Sequence, residues 1–283
     1  KMILLTGGAG YVGSVITEVL LNQGHCVIVV DDLSAGNREA VDSRAVFVRG
    51  DFANEVVLER SFRDHKIDYV IHLAAHAHVS ESVQEPLRFY SNNVARTIKL
   101  LSWMKLFDVK NIIFTSTAAV FGEPQYNPID EGHPQVPITP YGHSKLMIEK
   151  VIKDCARGWG VNYVIFRYLN VAGATEKHGE SRRNETHLIP RVIKTILGDQ
   201  NPFYVYGNKF STRDGTGIRD YFHVLDIADA HILAMEQGVT NQIFNLGHEE
   251  GYTVLEIIHE IEKVTGKRLS YSIAPAREGD PSM

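Results

Sequence analysis

The stretch TGGAGYVG, residues 6–13, is a glycine-rich motif close to the start of the sequence. It places Gly7, Gly10 and Gly13 at intervals of three residues, and through Gly8 it also satisfies the pattern Gly-x-Gly-x-x-Gly. Glycine is needed where a turn is tight, where backbone must approach a pyrophosphate and where a helix packs closely on a strand. A short glycine motif is common, so its meaning depends on the elements around it.

The residues on either side of the glycines predict a strand, a turn and a helix. The apolar run MILL precedes them, and YVGSVITEVLLNQG follows with helical periodicity. A pyrophosphate at this turn would lie against the positive end of the helix. The next run, CVIVVDD, is a continuous strand of the buried type that reaches Asp31. An acid at this position accepts hydrogen bonds from an adenosine ribose and repels a 2′-phosphate, which predicts a preference for NAD over NADP.

The alternation of apolar runs and helix-like stretches continues through the first two-thirds of the chain. The further runs are AVFVRGD, DYVIHLAA, NIIFTSTAAVFG and VNYVIFRYLN. Continuous Val- and Ile-rich strands between helices indicate a parallel sheet covered on both faces. Right-handed crossovers then give a doubly wound sheet.

The rhythm changes after about Val171. A polar loop is followed by short strands, FYVYG, FNLG and LSYSIAP, and by the amphipathic helix TVLEIIHEIEKVTG. We therefore predict an α/β fold with two domains. Residues 1–171 form an NAD(P)-binding Rossmann domain, and residues 172–283 form a smaller C-terminal α/β substrate domain, parts of which can interleave with the first.

The composition narrows the classes of function. Hydrophobic content of 44% and charged content of 22% are close to globular averages, and the net charge of −5 is well mixed, which argues against nucleic acid as the main partner. No run reaches the ~18 consecutive apolar residues of a membrane span. The chain opens on KMILLTGG without a signal-like leader, so a cytoplasmic location is expected. Cys26 and Cys155 are interpreted as reduced, packed residues.

A second candidate site lies in TPYGHSKLMIEK, residues 139–150. Tyr141 and Lys145 are four residues apart, so on a helix they share a face. Such a pair is often an exposed aromatic beside a solvated lysine. Together with a dinucleotide cradle, it predicts a tyrosine whose proton is made easier to remove. The pKa of a free tyrosine is ~10, and a nearby ammonium group favours the phenolate.

A strand that ends in hydroxyl groups precedes this pair. Thr115, Ser116 and Thr117 close the run NIIFTST, and the carboxyl ends of strands in a doubly wound sheet face the ligand crevice. A phenolate can take a proton from an alcohol whose carbon gives hydride to NAD⁺, while Thr117 hydrogen-bonds the same oxygen. A hydroxyl at a strand end can instead cap backbone, and both roles stay open for Thr117.

The motifs along nearly the whole chain resemble the extended short-chain dehydrogenase/reductase family, and most closely its UDP-glucose (UDP-galactose) 4-epimerases. The resemblance is carried by TGGAGYVGS, VVDDLS, GDF, HLAA, ESVQEPL, YSNNV, STAAVFG, PYGHSKLMIE, RYLNVAGA, HLIP, DGTGIRDYFHV and FNLG. It implies an NAD that stays bound and is not consumed, and Tyr141 as the base at the 4-hydroxyl of a UDP-hexose. Hydride passes from C4 to the nicotinamide, the transient 4-keto sugar rotates, and hydride returns on the other face. A homodimer is also implied.

The resemblance further implies a set of site residues. Catalytic roles fall to Tyr141, Lys145 and Thr117. Cofactor contacts are implied for Gly7, Gly10, Tyr11, Val12, Gly13, Asp31, Asp32, Ser34, Asp51, Phe52, Leu73, Ala74, Ala75, Asn92, Thr115, Tyr141, Lys145 and Tyr168. Substrate contacts are implied for Thr117, Tyr141, Asn170, His187, Leu188, Tyr204, Tyr206, Arg219, Arg277 and Asp280. Two of these, Arg219 and Arg277, suit a diphosphate because a guanidinium meets phosphate oxygens in a fork.

Some positions depart from the family pattern. His187 replaces an asparagine of some relatives and keeps a hydrogen-bond donor, whereas Ala77 stands where some members carry a lysine that contacts the cofactor. Relatives also continue with a C-terminal helical segment beyond the position that corresponds to Met283, the last residue of this sequence.

Other functions are weighed against the epimerase. A 4,6-dehydratase needs an added acid and base, which that family carries as Asp-Glu after the strand-end threonine, but Thr117 is followed by Ala118 and Ala119. A 4-epimerase of another UDP-sugar (N-acetylhexosamine, uronate or pentose) stays open, because small pocket changes discriminate weakly. An NAD-sensing regulator without catalysis is disfavoured by the intact Thr117, Tyr141 and Lys145.

The stretch HLAAHAH raises the question of a metal site, since His72, His76 and His78 are close in sequence. They fall at a strand end where the family brings backbone to NAD, and no cysteine or acid completes a ligand set. We predict no metal here and expect hydrogen-bonded histidines.

Overall fold

The computed structural model divides into two compact units. It describes residues 1–181, 185–198, 202–248, 250–277 and 282–283. Unit 1 comprises Lys1–Tyr168, Gly173–Gly179 and His223–Leu246, and unit 2 comprises Leu169–Ala172, Glu180–Phe222 and Gly247–Met283. Within the described ranges, no helix combines the length and the apolar character that crossing a membrane requires.

The strands and helices have the following bounds. The strands are β1 (Met2–Thr6), β2 (Cys26–Asp31), β3 (Val46–Arg49), β4 (Tyr69–His72), β5 (Asn111–Thr117), β6 (Asn162–Tyr168), β7 (Asn170–Ala172), β8 (Tyr204–Tyr206), β9 (Ile218–Arg219), β10 (Tyr221–His223), β11 (Gln242–Leu246), β12 (Tyr252–Thr253) and β13 (Ser272–Ala274). The α-helices are α1 (Tyr11–Asn22), α2 (Glu55–Arg63), α3 (Val79–Gln84), α4 (Pro86–Phe89), α5 (Arg96–Leu106), α6 (Pro140–Trp159), α7 (Leu188–Ile196), α8 (Val224–Glu236) and α9 (Val254–Thr265). A π-helical turn, Tyr90–Ala95, joins α4 to α5.

A parallel sheet forms the centre of unit 1. In the described part of the chain its seven strands run in the order β11-β6-β5-β4-β1-β2-β3, and every neighbouring pair is parallel. Strand order reverses between β1 and β4, where Thr6 pairs with His72. In open sheets of this kind, ligands bind outside the carboxyl ends of the strands at such a switch point. The predicted doubly wound fold is therefore confirmed.

Helix α6, which carries the predicted catalytic pair, has well-defined ends. The Thr139 hydroxyl accepts a hydrogen bond from the backbone N–H of Gly142 at 3.2 Å, and Pro140 occupies the first helical position. Both are preferred helix-start residues, since the hydroxyl satisfies an open N–H and proline has none to satisfy. The helix ends at Gly160, whose φ of +77° suits a residue without a side chain.

The two units of the structure do not follow the predicted split at residue 171: residues 169–171 belong to unit 2, and residues 173–179 belong to unit 1. Residues 223–246 follow the predicted split at residue 171, yet they belong to unit 1. The physical reason is β11, which pairs in parallel with β6 and places Ile243 opposite Ile165. The short apolar run FNLG, assigned from sequence to the second domain, therefore extends the central sheet. The expectation of a packed Cys26 is also wrong, because this free cysteine is exposed at the first position of β2.

Unit 2 is built from short paired strands and helices. Strand β8 pairs with β13 in parallel, and β9 pairs with β12 in antiparallel orientation. Helix α9 begins with a capping box in which Thr253 and Glu256 satisfy each other's backbone N–H groups. The small hydrophobic core of unit 2 consists of Val192, Phe203, Val205, Ile258 and Leu269.

Candidate active site

The glycine-rich turn between β1 and α1 forms a cradle that side chains would fill. Gly7 has a φ of +81°, and a Cβ atom there would lie 2.8 Å from the backbone nitrogen of Ala74. A Cβ atom on Gly13 would lie 2.2 Å from the carbonyl oxygen of Gly7. The turn is closed by a hydrogen bond from the N–H of Gly10 to that same oxygen at 3.2 Å. Only glycine fits at these contacts, and the arrangement suits a pyrophosphate at the start of α1.

Asp31 ends β2 beside this turn. One carboxylate oxygen accepts a hydrogen bond from the N–H of Ala9 at 3.0 Å, and the other accepts one from the N–H of Leu33 at 2.8 Å. Burial raises the pKa of Asp31 above its ordinary value, whereas the two backbone N–H groups act in the opposite direction. Each oxygen of a carboxylate has a second lone pair, so both can also accept from a ribose hydroxyl.

A buried histidine lies next to the strand that leads into the glycine-rich turn. His72 lies between Thr6 of β1 and Thr97 of α5, with Nδ1 2.6 Å and Nε2 2.8 Å from the two hydroxyl oxygens. Burial lowers its pKa to about 3, so the ring is neutral at physiological pH. The ring of Phe52 packs edge-on at 4.9 Å between centroids. His72 therefore has hydrogen-bonding partners, as expected, and it links the ends of β1 and β4 to α5.

The other predicted cofactor residues of the adenosine side lie nearby in unit 1. Arg96 bridges Asp51 at 3.0 Å and the Asn92 side-chain oxygen at 2.9 Å. Asp32 accepts a hydrogen bond from the N–H of Ser34 at 2.8 Å. Half-buried positions at the starts of α1 and of the segment after β4 are taken by Tyr11, Val12, Leu73, Ala74 and Ala75.

The Tyr141/Lys145 pair is buried. Tyr141 is 9% and Lys145 is 3% exposed, so the alternative of a solvated surface pair does not hold. The ammonium Nζ of Lys145 donates to the backbone oxygen of Thr115 at 2.8 Å and lies 4.8 Å from the centroid of the Phe114 ring. Burial lowers the pKa of Lys145 to about 7, and the carboxylate of Glu149 opposes that effect.

The hydroxyl groups at the end of β5 have separate partners. Thr117 Oγ1 accepts a hydrogen bond from the N–H of Ala119 at 3.1 Å, which is the capping role left open from sequence. A hydroxyl that accepts still has a proton to donate, so the second role stays available to Thr117. Thr115 Oγ1 lies 3.3 Å from the Tyr168 hydroxyl, which lies 3.1 Å from Nε2 of the buried His231.

His231 is a residue that sequence reasoning missed. It lies 63 residues beyond Tyr168 on α8, and no motif connects the two. Burial lowers the pKa of His231 to about 4, and burial raises that of Tyr168. The neutral imidazole and the protonated phenol therefore position Thr115 without charge.

The described members of the predicted substrate set, other than Thr117 and Tyr141, lie in unit 2. Both the N–H and the side-chain amide of Asn170 donate to the backbone oxygen of Asp220 at 3.1 Å. The Arg277 guanidinium lies 4.0 Å from the ring centroid of Tyr206, and the rings of Tyr204 and Tyr206 are 6.3 Å apart. The Tyr206 ring therefore lies against the Arg277 head group at one end of the β8–β13 pair.

Further members of this set are placed separately. His187 occupies the N-cap position of α7, just before Leu188, and its Nδ1 atom lies 2.5 Å from a Glu180 oxygen. Glu180, Glu185 and His187 bring potential ligand atoms within 4.8 Å of one another, but hydrogen bonds inside the group account for it and we assign no metal. Arg219 donates to the backbone oxygen of Ile218. Asp280 lies outside the described residues.

Comparison with known proteins identifies the family. The sequence model described as "NAD dependent epimerase/dehydratase family" matches residues 3–247. A UDP-glucose 4-epimerase of Lacticaseibacillus casei is 43% identical over 99% of this chain and 86% of its own length. Solved UDP-glucose 4-epimerases are also similar. That of Brucella ovis with NAD has a TM-score of 0.95 and 39% identity, covering 100% of this chain and 88% of its own. That of Bifidobacterium longum with NAD⁺ and UDP has a TM-score of 0.94 and 37% identity, covering 99% and 88%. The resemblance drawn from the motifs is confirmed, and the chain belongs to the NAD dependent epimerase/dehydratase family.

Proposed function

We propose that the protein is an NAD-dependent UDP-glucose 4-epimerase that interconverts UDP-glucose and UDP-galactose through a transient 4-keto sugar. The observation that carries the proposal is that Lys145, buried beside the end of β5, shares one face of α6 with Tyr141. The glycine cradle and Asp31 belong to the same unit. The names of the relatives support the choice of sugar nucleotide.

The residues of this chain divide the work as follows. Tyr141 takes the proton of the sugar 4-hydroxyl and later returns it, and the ammonium of Lys145 stabilises the phenolate that this requires. The Thr117 hydroxyl donates a hydrogen bond to the same sugar oxygen. NAD, when bound, supplies a reversible hydride acceptor for C4. The cradle at Gly7 and Gly13 and the carboxylate of Asp31 would hold its pyrophosphate and adenosine ribose.

Recognition of the UDP part is assigned to residues of unit 2. Arg219 and Arg277 supply guanidinium groups for the diphosphate, and a fork of N–H donors matches phosphate oxygens. Asn170, His187, Leu188, Tyr204, Tyr206 and Asp280 complete the proposed substrate set. Because the UDP group does not react, its contacts can hold the substrate while the sugar turns.

The fate of the C4 hydrogen tests this function. UDP-galactose labelled with deuterium at C4 is incubated with the protein in ordinary water, and the product is analysed by NMR and mass spectrometry. Epimerisation through hydride transfer within one site predicts UDP-glucose that retains deuterium at C4. Loss of the label to solvent, or no UDP-glucose at all, would contradict the proposal.

The alternative sugars are tested by the same preparation. The sequence leaves open a 4-epimerase of a UDP-N-acetylhexosamine, a UDP-uronate or a UDP-pentose. Initial rates are compared for these and for UDP-galactose at equal concentrations. We expect the highest kcat/KM for UDP-galactose or UDP-glucose, and a preference for another UDP-sugar would reassign the substrate but not the chemistry.

We also propose that the protein is a homodimer. Large apolar side chains on the helices of unit 1 are exposed, notably Leu87 on α4, Leu106 on α5 and Met147 on α6. A second copy could cover them, because exposed apolar patches on a protein surface mark sites of protein–protein contact. Light scattering of the purified protein should give twice the mass of one chain, and a monomer mass would contradict this assembly. The cytoplasmic location stays a prediction.

A further inference from the structure

A buried ionic cluster lies one helical turn beyond Lys145. Its members are Glu149 on α6, Arg167 on β6 and Ser116 on β5, and their exposed fractions are 0%, 0% and 2%. One Glu149 oxygen accepts hydrogen bonds from Ser116 Oγ at 2.5 Å and from Arg167 Nε at 3.0 Å. The other accepts one from Arg167 Nη2 at 2.6 Å. The carboxylate is therefore fixed by three donors from two strands.

Stability alone does not explain this cluster. A buried ion pair loses much of its attraction to desolvation, and well-packed apolar residues of similar volume often serve stability equally well. Within the described residues, Arg167 Nη1 has no hydrogen-bond partner, although the guanidinium lies 5.0 Å from the ring centroid of Phe121. A buried charge that is incompletely satisfied points to a role for the charge itself.

The position of the cluster connects it with the proposed catalytic residues. Glu149 lies four residues after Lys145 on α6, so the two side chains share a helix face. Ser116 lies between Thr115, whose carbonyl oxygen receives the Lys145 ammonium, and Thr117. The same hydrogen bonds thus tie α6 to the end of β5.

Lys145 is surrounded mainly by groups that do not compensate its charge. Burial lowers its pKa to about 7, and Glu149 is the charged group that raises it. Among the described residues, other titratable groups on the neighbouring elements include Tyr141 on α6, the neutral His72 on β4, and Tyr168 on β6, whose pKa is raised by burial. On the helices packed against α6, Glu81 and Arg88 pair with each other.

We propose that Glu149 is a positioning residue for the epimerisation. Fixed by Arg167 and Ser116, its carboxylate favours the ammonium form of Lys145 and holds α6 against the end of β5. The catalytic consequence rests on the function proposed above, because a neutral Lys145 would no longer favour the Tyr141 phenolate. The effect on the charge of Lys145 is independent of that function and is measurable without substrate.

The test compares Glu149→Gln, which keeps the shape and removes the charge, with the wild type. The protonation of Lys145 is followed by NMR of its Cε and Nζ atoms over a pH series, and the signal is assigned by its absence in Lys145→Met. We expect the midpoint to fall by about one pH unit or more, the usual size of the effect of one nearby opposite charge. Glu149→Asp, which restores the charge, should recover part of that shift.

Two further variants keep the test decisive. Asp154→Asn removes an exposed carboxylate of the same helix that pairs with Arg157, and it should leave the midpoint unchanged. If Glu149→Gln does not fold because Arg167 is left unpaired, the double variant Glu149→Gln/Arg167→Met removes both charges and should still lower the midpoint, by less than Glu149→Gln because the Arg167 cation is gone as well. A folded variant whose Lys145 midpoint equals that of the wild type would overturn the proposal.

Activity supplies a second, separable readout. In Glu149→Gln the alkaline limb of the kcat/KM profile for UDP-galactose should move to lower pH, because Lys145 loses its proton at a lower pH, whereas a packing role would lower activity equally at every pH. A uniform loss would therefore contradict the positioning role. A wild type that shows no epimerase activity, while the Lys145 midpoint still falls in Glu149→Gln, would reject the proposed function and support Glu149 as the counter-charge.

Discussion

The ammonium nitrogen of Lys145 lies 2.8 Å from the backbone carbonyl oxygen of Thr115. This hydrogen bond joins α6 to the end of β5, two residues before Thr117. Burial of the lysine head group lowers the pKa of Lys145 strongly. The relationship has consequences for both stability and catalysis.

The first prediction concerns the pH dependence of stability. The pKa of Lys145 is about 7 in the folded protein against an ordinary value of 10.5, so between these values the unfolded chain holds a proton that the folded chain has lost. Stability linked to Lys145 is therefore fully present above pH 10.5 and is lost as pH falls towards 7. Relative to Lys145→Met, the free energy of unfolding of the wild type should rise by ~3–4 kcal/mol from pH 7 to 10. Urea denaturation measures this, and parallel curves for the two proteins would exclude the lowered pKa.

The second prediction concerns the glycine cradle. Gly13→Ala places a Cβ atom 2.2 Å from the Gly7 carbonyl oxygen, so the turn must shift. NAD affinity, measured by calorimetry, should fall at least about tenfold, which corresponds to ~1.4 kcal/mol. Gly158→Ala on the exposed face of α6 meets no atom within 4 Å and is the matched control. Equal NAD affinity in the two variants would show that the turn does not hold the cofactor.

The third prediction concerns the choice between NAD and NADP. Asp31→Asn removes the charge that would repel a 2′-phosphate and weakens the acceptor for a ribose hydroxyl. Loss of a hydrogen bond to a charged group costs about 1.5–3 kcal/mol, so the Kd for NAD should rise more than tenfold while that for NADP changes less. Glu39→Gln, an exposed acid in the segment that follows β2, serves as the control. Unchanged discrimination in direct binding would remove Asp31 from this role.

The fourth prediction separates the two roles of Thr117. Thr117→Ser retains a hydroxyl that can accept from the Ala119 N–H and donate to substrate, whereas Thr117→Val can do neither. Steady-state kinetics with UDP-galactose should give near-normal kcat for the serine variant and a loss of about 10²-fold for the valine variant, with a smaller change in KM. If the valine variant loses thermal stability but keeps kcat, capping is the whole function of this hydroxyl.

Much of the fold follows from local sequence patterns. Continuous apolar runs predict β1, β2, β4, β5 and β6, because strands buried on both faces have no polar side to alternate with. From its position in the sequence, the run FNLG (part of β11) is assigned to the second domain. A run this short does not specify the strand with which it pairs. Tertiary packing pairs β11 with β6, so residues 223–246 belong to unit 1.

Some residues of the candidate site are likewise predictable from local sequence, and others are not. Gly13, Asp31 and the Tyr141/Lys145 pair are predicted because each need is local: a tight turn, an acid at a strand end, or a helical spacing. The contact between His231 and Tyr168 could not be predicted from sequence, because only the packing of α8 brings the two side chains together. Glu149 could have been noticed, because it repeats the four-residue spacing after Lys145. Its partner Arg167 is 18 residues away and gives no such signal.

The role of Tyr141 as the base is tested by the epimerase activity of Tyr141→Phe, with the NAD content measured on the same sample. We expect NAD to stay bound and kcat for UDP-galactose to fall by at least about 10²–10⁴-fold, because the proton acceptor is lost. Tyr126→Phe, which removes an exposed phenol bonded to Asp130, should retain full activity. A Tyr141→Phe protein that binds NAD and epimerises UDP-galactose at the wild-type rate would contradict the account.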